Sequence, residues 1–300
     1  MSRYIAIDGG TTKTKISLLE KDRIIYTTKE NVGVKNGKER LEHTITENIL
    51  KIEAEYGKTD KIIASGMLTS KNGLYEVPYI LAPAGLTELH CAAKEVKIFG
   101  FDFVFIPGVK KEAPCIEDVD IMRGEETELM GLTEQIEKEC AYILPGSHSK
   151  CILTDKYGRI CDFSTYFTGE MISALISETI LKYSLCYCDA DESFLKYGFD
   201  MCEKYGVNQS LFKTRIFDII ENLEKEKLFG YFFGVIMHDE VKKIAQSNVK
   251  KIIVGGKKEL RHPETVLLKD CLKKNVCELD DRACENAPAF GAVKIYEGEF

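Results

Sequence analysis

The sequence predicts a two-domain α/β protein in which both domains follow one structural plan, with a cleft between them. Three observations support this prediction. The chain has 300 residues, and single hydrophobic cores stop growing near about 250–300 residues. Short β-rich segments precede helical patterns in both halves, and the first hairpin pattern returns 136 residues later. The boundary is predicted near residue 140, which gives domains 1–139 and 140–300.

The first half begins with three short β-rich segments, at residues 4–9, 14–19 and 23–29. Glycine, threonine and charged turn signals separate them, so they predict three antiparallel strands. Apolar residues recur at helical spacing from 37 to 56, and Gly57 is a plausible end of this helix. The rest of this half predicts strands at 61–65 and 103–107 and a helix over 124–136.

The second half repeats the hairpin. When the numbering is shifted by 136, Gly10-Thr11 falls on Gly146-Ser147 and Ile16 falls on Ile152. The predicted strands are 142–144, 151–154 and 159–163, followed by helices at 169–184, 189–204, 210–225 and 231–247, a strand at 251–254, a helix to about 274 and a helix at 286–296. Both halves therefore follow a duplicated β-β-β-α-β-α plan, with helices packed on twisted sheets.

Composition excludes several classes of partner. The net charge is −7, and nucleic-acid binders usually carry a basic face, so nucleic acid is excluded as a partner. No segment reaches the ~20 apolar residues that a membrane-spanning helix needs, and a cytoplasmic protein is predicted. The eleven cysteines include no C-x-x-C pair, which predicts free thiols. A homodimer is compatible with the sequence, which leaves the oligomeric state open.

Two polar turns could hold phosphate groups. The first is Asp8-Gly9-Gly10-Thr11-Thr12-Lys13, where backbone N–H groups and hydroxyls can bind phosphate oxygens and Asp8 can hold Mg²⁺ through water. A tight hairpin turn is the alternative. The second is Gly146-Ser147-His148-Ser149, in which His148 is interpreted as a donor rather than a base. Two such hairpins facing one cleft would clamp a polyphosphate from both sides.

Two further segments are candidates for the site. Gly255-Gly256 follows an apolar strand and precedes a helix, a position where the backbone can pass close to a ribose. An ordinary turn between the strand and the helix explains the two glycines equally well. Glu125 and Glu126 stand at the start of a helix. Helix capping is the alternative for acidic residues there, but Glu125 beside Gly124 could also accept a proton from a substrate hydroxyl.

The order of these motifs resembles the actin-like ATPase superfamily, which has a ribonuclease H-like fold and includes hexokinase and glycerol kinase. Within it the sequence is most similar to the 2-dehydro-3-deoxygalactonokinase family. The segments that carry the resemblance span nearly the whole chain: Ser65-Gly66-Met67, Asn72-Gly73, Glu76-Val77-Pro78-Tyr79, Met122 to Thr127, Leu144 to Lys150 and Thr168-Gly169-Glu170.

The resemblance implies ATP-dependent phosphorylation of the terminal hydroxyl of a six-carbon 2-keto-3-deoxy sugar acid. It implies that Asp8 organises Mg²⁺, that residues 9–13 and 146–149 hold the phosphates, and that Gly255 and Gly256 border the nucleoside. It further implies that Glu125 is the catalytic base, with Glu126 as the alternative. The candidates for contact with the sugar acid are Ser65, Gly66, Met67, Asn72, Arg123, Lys150 and Glu170.

The sequence departs from this family at two positions. Members commonly have Trp where Gly9 and Cys151 stand, and this chain has no Trp. Gly9 restores the general superfamily pattern, so ATP binding is still expected. The loss of two large rings could change the shape of the sugar pocket. A kinase for another sugar acid or an amino sugar is therefore an alternative, and a non-metabolic actin-like ATPase is an alternative of a different class.

Overall fold

The structure of the protein is a computed structural model that describes residues 2–21, 23–132, 138–247 and 249–298. Its strands are β1 (Arg3–Gly9), β2 (Thr14–Glu20), β3 (Arg23–Glu30), β4 (Lys61–Gly66), β5 (Ile80–Leu81), β6 (Lys94–Ile98), β7 (Phe101–Phe105), β8 (Val109–Lys111), β9 (Asp120–Met122), β10 (Ala141–Leu144), β11 (Ser149–Thr154), β12 (Ile160–Tyr166), β13 (Ile252–Val254) and β14 (Val276–Glu278).

The α-helices are α1 (Lys38–Tyr56), α2 (Leu86–Ala92), α3 (Glu125–Leu132), α4 (Thr168–Glu178), α5 (Glu192–Ile219), α6 (Lys225–Ile236), α7 (His238–Ala245), α8 (Lys258–Val266) and α9 (Asp281–Glu297). Short 3₁₀ segments include Met67–Thr69, and α8 continues as a π-helical turn over Leu267–Cys271. Among the described residues, none of the helices is both long enough and apolar enough to cross a membrane.

The chain divides into two compact units. The first comprises residues 1–138, 154–163 and 282–300, and the second comprises residues 139–153 and 164–281. The division after residue 138 lies next to the predicted boundary, but the first unit also takes in the turn before β12, part of β12 and nearly all of α9. The assignment of one ligand-binding role to each domain stays a prediction.

The first unit is built on a six-stranded sheet with the order β3-β2-β1-β4-β7-β6. β1 pairs antiparallel with β2 and parallel with β4, and β4 pairs parallel with β7. One face of this sheet packs on α1 because alternate strand residues and one helix face are apolar. The core contains Ile5, Ile7, Ile16, Leu18, Leu41, Ile45, Ile49, Ile62, Phe103 and Phe105.

The sheet of the second unit repeats this topology. Its order is β12-β11-β10-β13-β14, with β10 antiparallel to β11 and parallel to β13. The core lies between this sheet and helices α4 to α8, and it includes Ile143, Ile172, Phe199, Phe232 and Val254. The duplicated plan predicted from the 136-residue offset is therefore confirmed.

Helix boundaries in the second half differ from the prediction. The predicted helices 189–204 and 210–225 are joined in α5, which has a non-helical residue at Gly206 (φ 73°, ψ 167°) and ends at Ile219. The predicted helix 231–247 is wrong, because α6 and α7 divide at Met237. α6 is buried continuously from Leu228 to Ile236, so no polar face marks its start in the sequence.

The short strands of the first unit were not predicted from the sequence. β5, β8 and β9 form a separate three-stranded sheet, and each has only two or three residues. Strands this short show no periodicity, so tertiary pairing alone defines them. The helix predicted over 124–136 is α3 as far as Leu132, and residues 133–137 lie outside the described residues.

α3 and α9 cross at very close range. A Cβ on Gly131 would lie 1.9 Å from Ala287 O, and a Cβ on Gly291 would lie 1.8 Å from Thr127 O. Both positions therefore require glycine, because any side chain would force the helix backbones apart. This contact fixes α3, whose first residue is Glu125.

Candidate active site

The first predicted phosphate loop forms the exposed turn between β1 and β2. Gly10 N donates to Lys13 O at 2.8 Å and closes the turn. Thr11, Thr12 and Lys13 face solvent. Exposed hydroxyls and N–H groups in such a turn can bind an anion. Phosphate binding by these residues stays a prediction.

A segment after β3 supports this turn. Val34 N donates to Gly10 O at 3.3 Å, and Lys35 N donates to Thr11 O at 3.1 Å. A Cβ on Gly33 would lie 2.5 Å from Thr11 O, so only glycine permits this approach. This segment is not evident from the sequence. Its one local signal is Gly33, and pairing with a turn more than twenty residues away leaves no local pattern.

Asp8 lies near the end of β1, beside Gly66 of β4. A Cβ on Gly66 (φ 68°) would lie 3.0 Å from Asp8 Oδ1 and 2.5 Å from Gly9 O. Burial raises the pKa of Asp8 to about 6, the charge of Lys15 opposes this shift, and the charge of Glu125 adds to it. Asp8 and Glu125 therefore lie close enough to interact electrostatically.

The surroundings of Asp8 fit a magnesium ion held through water. A cation at Asp8 would offset the repulsion between Asp8 and Glu125, and Mg²⁺ prefers oxygen ligands while retaining several of its waters. Asp8 adjoins the exposed turn that is predicted to receive the phosphates. The residues present are therefore those that Mg²⁺ bound to a polyphosphate would need.

Lys15 faces Asp8 directly across the β1–β2 ladder. Directly opposed residues of antiparallel strands share a face of the sheet. Lys15 Nζ also donates to Glu285 O at the start of α9, and burial lowers the pKa of Lys15. The place of Lys15 in the site is not evident from the sequence, because only strand register brings it to Asp8.

Glu125 and Glu126 occupy different environments. Glu126 is fully buried, and its carboxylate accepts from Gly124 N at 2.8 Å and from Thr127 Oγ1 at 3.0 Å. Burial and the charge of Glu125 raise the pKa of Glu126 to about 8. Glu125 is only partly buried and accepts from Arg123 N at 3.1 Å. Glu126 thus caps α3, which leaves Glu125 as the better candidate for the base.

Gly124 brings this helix start to the end of β4. Gly124 has a φ of 114°, and a Cβ there would lie 3.3 Å from Gly66 Cα. The structure therefore places Gly66, Asp8 and Glu125 together within the first unit. Ser65, paired with Asp8 in the parallel register, is buried.

The structure gives Arg123 a role in holding the chain. Its guanidinium donates from Nη1 to Thr69 O at 2.7 Å and from Nη2 to Val77 O at 3.0 Å, and it lies 4.1 Å from the ring centroid of Tyr79. Arg123 therefore fixes both ends of residues 69–77. Contact of Arg123 with a sugar acid stays a prediction.

Residues 67–73 carry two of the predicted sugar contacts. Met67 opens the short 3₁₀ segment and is partly buried, whereas Asn72 is exposed. A Cβ on Gly73 would lie 2.2 Å from Leu68 O, which keeps this loop tight. Arg123 and Gly73 together define its path.

Leu68 occupies the space beside Gly9. A Cβ on Gly9 would lie 2.3 Å from Leu68 Cγ, and Leu68 is fully buried. A large side chain at position 9 therefore cannot coexist with Leu68 in this position. The side chain of Leu68, from the neighbouring loop, thus fills the space that a larger residue at position 9 would need.

We expect Gly9→Ala to destabilise the protein because its methyl group collides with Leu68. Overpacking of this kind costs about 1–3 kcal/mol of unfolding free energy. Leu68→Ala should cost about 2–5 kcal/mol alone, and the double variant should lose less than the sum because the shortened side chain leaves room for the methyl group. Urea unfolding of all four proteins measures this coupling, and strict additivity would contradict the contact.

The second predicted loop is the turn between β10 and β11. Ser147 and His148 are exposed, whereas Ser149 and Lys150 are buried. His148 Nε2 lies 3.3 Å from Glu170 Oε1, and its ring stacks on Phe167 with centroids 5.4 Å apart. Lys150 Nζ donates to His148 O at 3.2 Å. His148 is thus held within the loop by Glu170 and Phe167, and its role as a donor to phosphate stays a prediction.

The start of α4 packs against this turn. Glu170 N donates to Ser147 O at 3.0 Å, and a Cβ on Gly169 would lie 2.1 Å from Gly146 O. Residues 168–170, which belong to the resemblance motifs, thus support the second turn. The structure brings Glu170 to His148, and a contact of Glu170 with sugar stays a prediction.

Gly169→Ala should displace the second turn. The added methyl group would meet backbone atoms that cannot rotate away, so we expect a loss of about 1–3 kcal/mol in unfolding free energy. Gly146→Ala is the matched control, because a Cβ there has no atom within 4 Å among the described residues. Thermal or urea unfolding compares the two variants, and equal stability would contradict the close packing of α4 on the turn.

Gly255 and Gly256 approach the same turn from β13. Gly255 N donates to Ile143 O at 2.8 Å, and Lys257 N donates to Pro145 O at 3.2 Å. Gly256 has a φ of 70°, and a Cβ there would lie 2.5 Å from Pro145 O. The structure therefore brings the predicted nucleoside segment to the second phosphate turn within one unit. A role in nucleoside binding remains a prediction.

The fold is that of sugar kinases and related ATPases. A glucokinase of the ROK family from Streptomyces griseus, solved with glucose and AMPPNP, is 12% identical, with a TM-score of 0.50 over 99% of this chain and 100% of that one. A structure from Sinorhizobium meliloti that carries the 2-dehydro-3-deoxygalactonokinase name is 23% identical, with a TM-score of 0.82 over 97% of both chains.

Sequence comparison identifies the family. The profile of the 2-keto-3-deoxy-galactonokinase family matches residues 8–286, so the chain belongs to that family. The 2-dehydro-3-deoxygalactonokinase of Escherichia coli K12 is 24% identical over 283 residues, which cover 90% of this chain and 91% of that protein. The protein is thus a carbohydrate kinase that acts on an alcohol group.

Proposed function

We propose that the protein transfers the γ-phosphoryl group of ATP to the terminal hydroxyl of 2-dehydro-3-deoxy-D-galactonate, giving the 6-phosphate and ADP in the cytoplasm. The observation that carries this proposal is the position of Asp8 and Glu125. One partly buried carboxylate lies beside an exposed turn that can bind phosphate, and a second interacts with it from the start of α3. Phosphoryl transfer needs both a cation site and a proton acceptor.

In this mechanism Glu125 accepts the proton of the terminal hydroxyl while that oxygen attacks the γ-phosphorus. The bond from the γ-phosphorus to the β,γ-bridging oxygen breaks, and ADP leaves. N–H groups of residues 9–13 and 146–149 orient the phosphates and stabilise the charge on their oxygens. Mg²⁺, held through Asp8, would supply further neutralisation of that charge. Positioning and charge stabilisation account for most of the catalysis, and proton removal for a smaller part.

The loop 67–77 carries two of the residues expected to contact the acceptor, Met67 and Asn72. Leu68 fills the space next to Gly9 where relatives commonly have Trp, so the loop 67–77 has its own packing in this chain. A kinase for another sugar acid is therefore the second candidate. In either case Arg123 sets the shape of this loop through Thr69 and Val77.

The test is a coupled assay of ADP release with a panel of acceptors. The panel contains 2-keto-3-deoxygalactonate, its gluconate epimer, related sugar acids and hexosamines. We expect the highest kcat/KM with 2-keto-3-deoxygalactonate. Faster turnover of the epimer would favour the second candidate, and no acceleration of ATP consumption by any keto-deoxy acid would refute the proposed substrate class.

A further inference from the structure

A hydroxyl side chain that borders the second phosphate turn donates a hydrogen bond to a buried carboxylate. Glu240 of α7 is 4% exposed, and its Oε2 accepts a hydrogen bond from Thr168 Oγ1. Ser149 Oγ is buried without a hydrogen-bond partner among the described residues, although its proximity favours the charged form of Glu240. Ser149 directly follows the turn, and Thr168 directly precedes Gly169, on which the turn packs.

A second buried carboxyl group lies near Glu240. Glu264 of α8 is 1% exposed, and the charge of Glu240 adds to burial in raising its pKa well above the usual range. Burial raises the pKa of Glu240 to about 7, against the effect of Thr168 and Ser149. Neither carboxylate has an ion pair with a described residue. The two buried carboxyl groups therefore disfavour each other's charge, which opposes the ionisation of both at once near neutral pH.

Other ionisable groups on the surrounding elements have partners of their own. They are Lys150 (His148 O), Glu170 (His148), His238 and Lys242 (Glu203), Arg261 (Glu278 and Asp281), Lys227 (Glu224) and Asp270 (Lys196). The hydroxyl of Thr168 consequently donates the hydrogen bond that stabilises charge on Glu240. A carboxylate held this way restrains Thr168 in return.

We propose that Glu240 is a positioning residue for the second phosphate turn, which it holds in place through Thr168. The inference rests on the proposed function, in which this turn contacts the phosphates of ATP. Burying a carboxyl group costs free energy unless it is well bonded, so a pure packing role would be served better by an apolar residue. The hydrogen bond from Thr168 supplies the reason for a carboxylate at this position.

The test compares Glu240→Ala, Glu240→Gln and the control Asp239→Asn, whose side chain is exposed on the same helix. The readouts are the Kd for ADP from calorimetry, and KM for ATP and kcat from steady-state kinetics. Loss of the contacts in Glu240→Ala should raise Kd and KM by about tenfold or more, with a smaller change in kcat. Glu240→Gln keeps an oxygen that accepts from Thr168, so it should restore most of the affinity. Asp239→Asn should match the wild type.

A structural defect alone would lower the melting temperature without this split between KM and kcat. If Glu240→Ala does not fold, Thr168→Val removes the same bond and Thr168→Ser retains it, and only the valine variant should bind ADP weakly. Wild-type affinity for ADP in Glu240→Ala or Thr168→Val would overturn this inference while leaving the proposed function intact. Failure of the wild type to bind ADP would instead overturn both.

Discussion

Glu125→Gln should lower kcat by ~10²–10⁴-fold, the usual contribution of a general base. The amide cannot accept the proton of the attacking hydroxyl, whereas the side chain keeps its size and its place at the start of α3. ADP affinity should change little, because in the proposed mechanism Glu125 acts on the acceptor hydroxyl and the backbone N–H groups of the two turns bind the phosphates. Rapid-quench or steady-state kinetics with saturating substrates, together with ADP calorimetry, measure both quantities.

Glu126→Gln is the matched control, since the two residues are adjacent and share the same chemistry. The carboxyl group of Glu126 is buried and has a pKa of about 8, so it is mainly protonated at neutral pH, and a neutral amide resembles it. The amide oxygen can still accept from Gly124 N. We therefore expect a much smaller loss of kcat. A reversed order, with Glu126→Gln inactive and Glu125→Gln active, would assign the base to Glu126.

The pH dependence of stability gives an independent check on Glu126. The pKa of Glu126 is raised in the folded protein from the value of 4.5 that applies to the unfolded chain. The stability that the neutral carboxyl group contributes is therefore fully present below pH 4.5, and it is lost as the pH rises toward and through about 8. Glu126→Gln cannot ionise. Its stability relative to the wild type should consequently increase between pH 5 and pH 8 in urea unfolding.

The sequence predicts those parts of the fold that depend on local patterns. The β1–β2 hairpin shows turn residues between alternating segments, and its recurrence at Gly146 identifies the duplication, which the two sheet orders confirm. The α6–α7 division was not predictable, because every residue of α6 from Leu228 to Ile236 is buried and periodicity disappears. Short strands such as β5 depend wholly on partners that are distant in the chain.

The candidate site shows the same limit. Glycines and acidic residues in Asp8 to Lys13 and at Glu125 are visible as motifs, since the chemistry requires those residue types. Their supports are not visible. Lys15 reaches Asp8 through cross-strand register, and Arg123 is engaged by carbonyl groups more than forty residues away. A carboxylate such as Glu240, on a helix far along the chain, acquires its contacts only on folding.

Asp8→Asn should abolish most of the kinase activity, by ~10²-fold or more, because it removes the carboxylate proposed to hold Mg²⁺ where charge develops. Asparagine is close in size and keeps β1 intact, so the melting temperature should change little. Lys15→Met is an informative companion, because it removes the positive charge that opposes the rise in the pKa of Asp8. That variant should be active at high pH. As the pH is lowered, it should lose activity at a higher pH than the wild type does.

The wild type should itself lose Mg²⁺ affinity in acid. Protons compete with the metal for Asp8, whose pKa is about 6, so the Mg²⁺ concentration for half-maximal activity should rise as pH falls through that value. Mg²⁺ titrations of the rate at pH 5.5, 6.5 and 7.5 measure it, with a constant free ATP concentration. The residual activity of Asp8→Asn should not show this dependence, because its amide does not titrate. A half-maximal Mg²⁺ concentration that shifts equally in both proteins would assign the proton competition to another group, with ATP itself the first to examine.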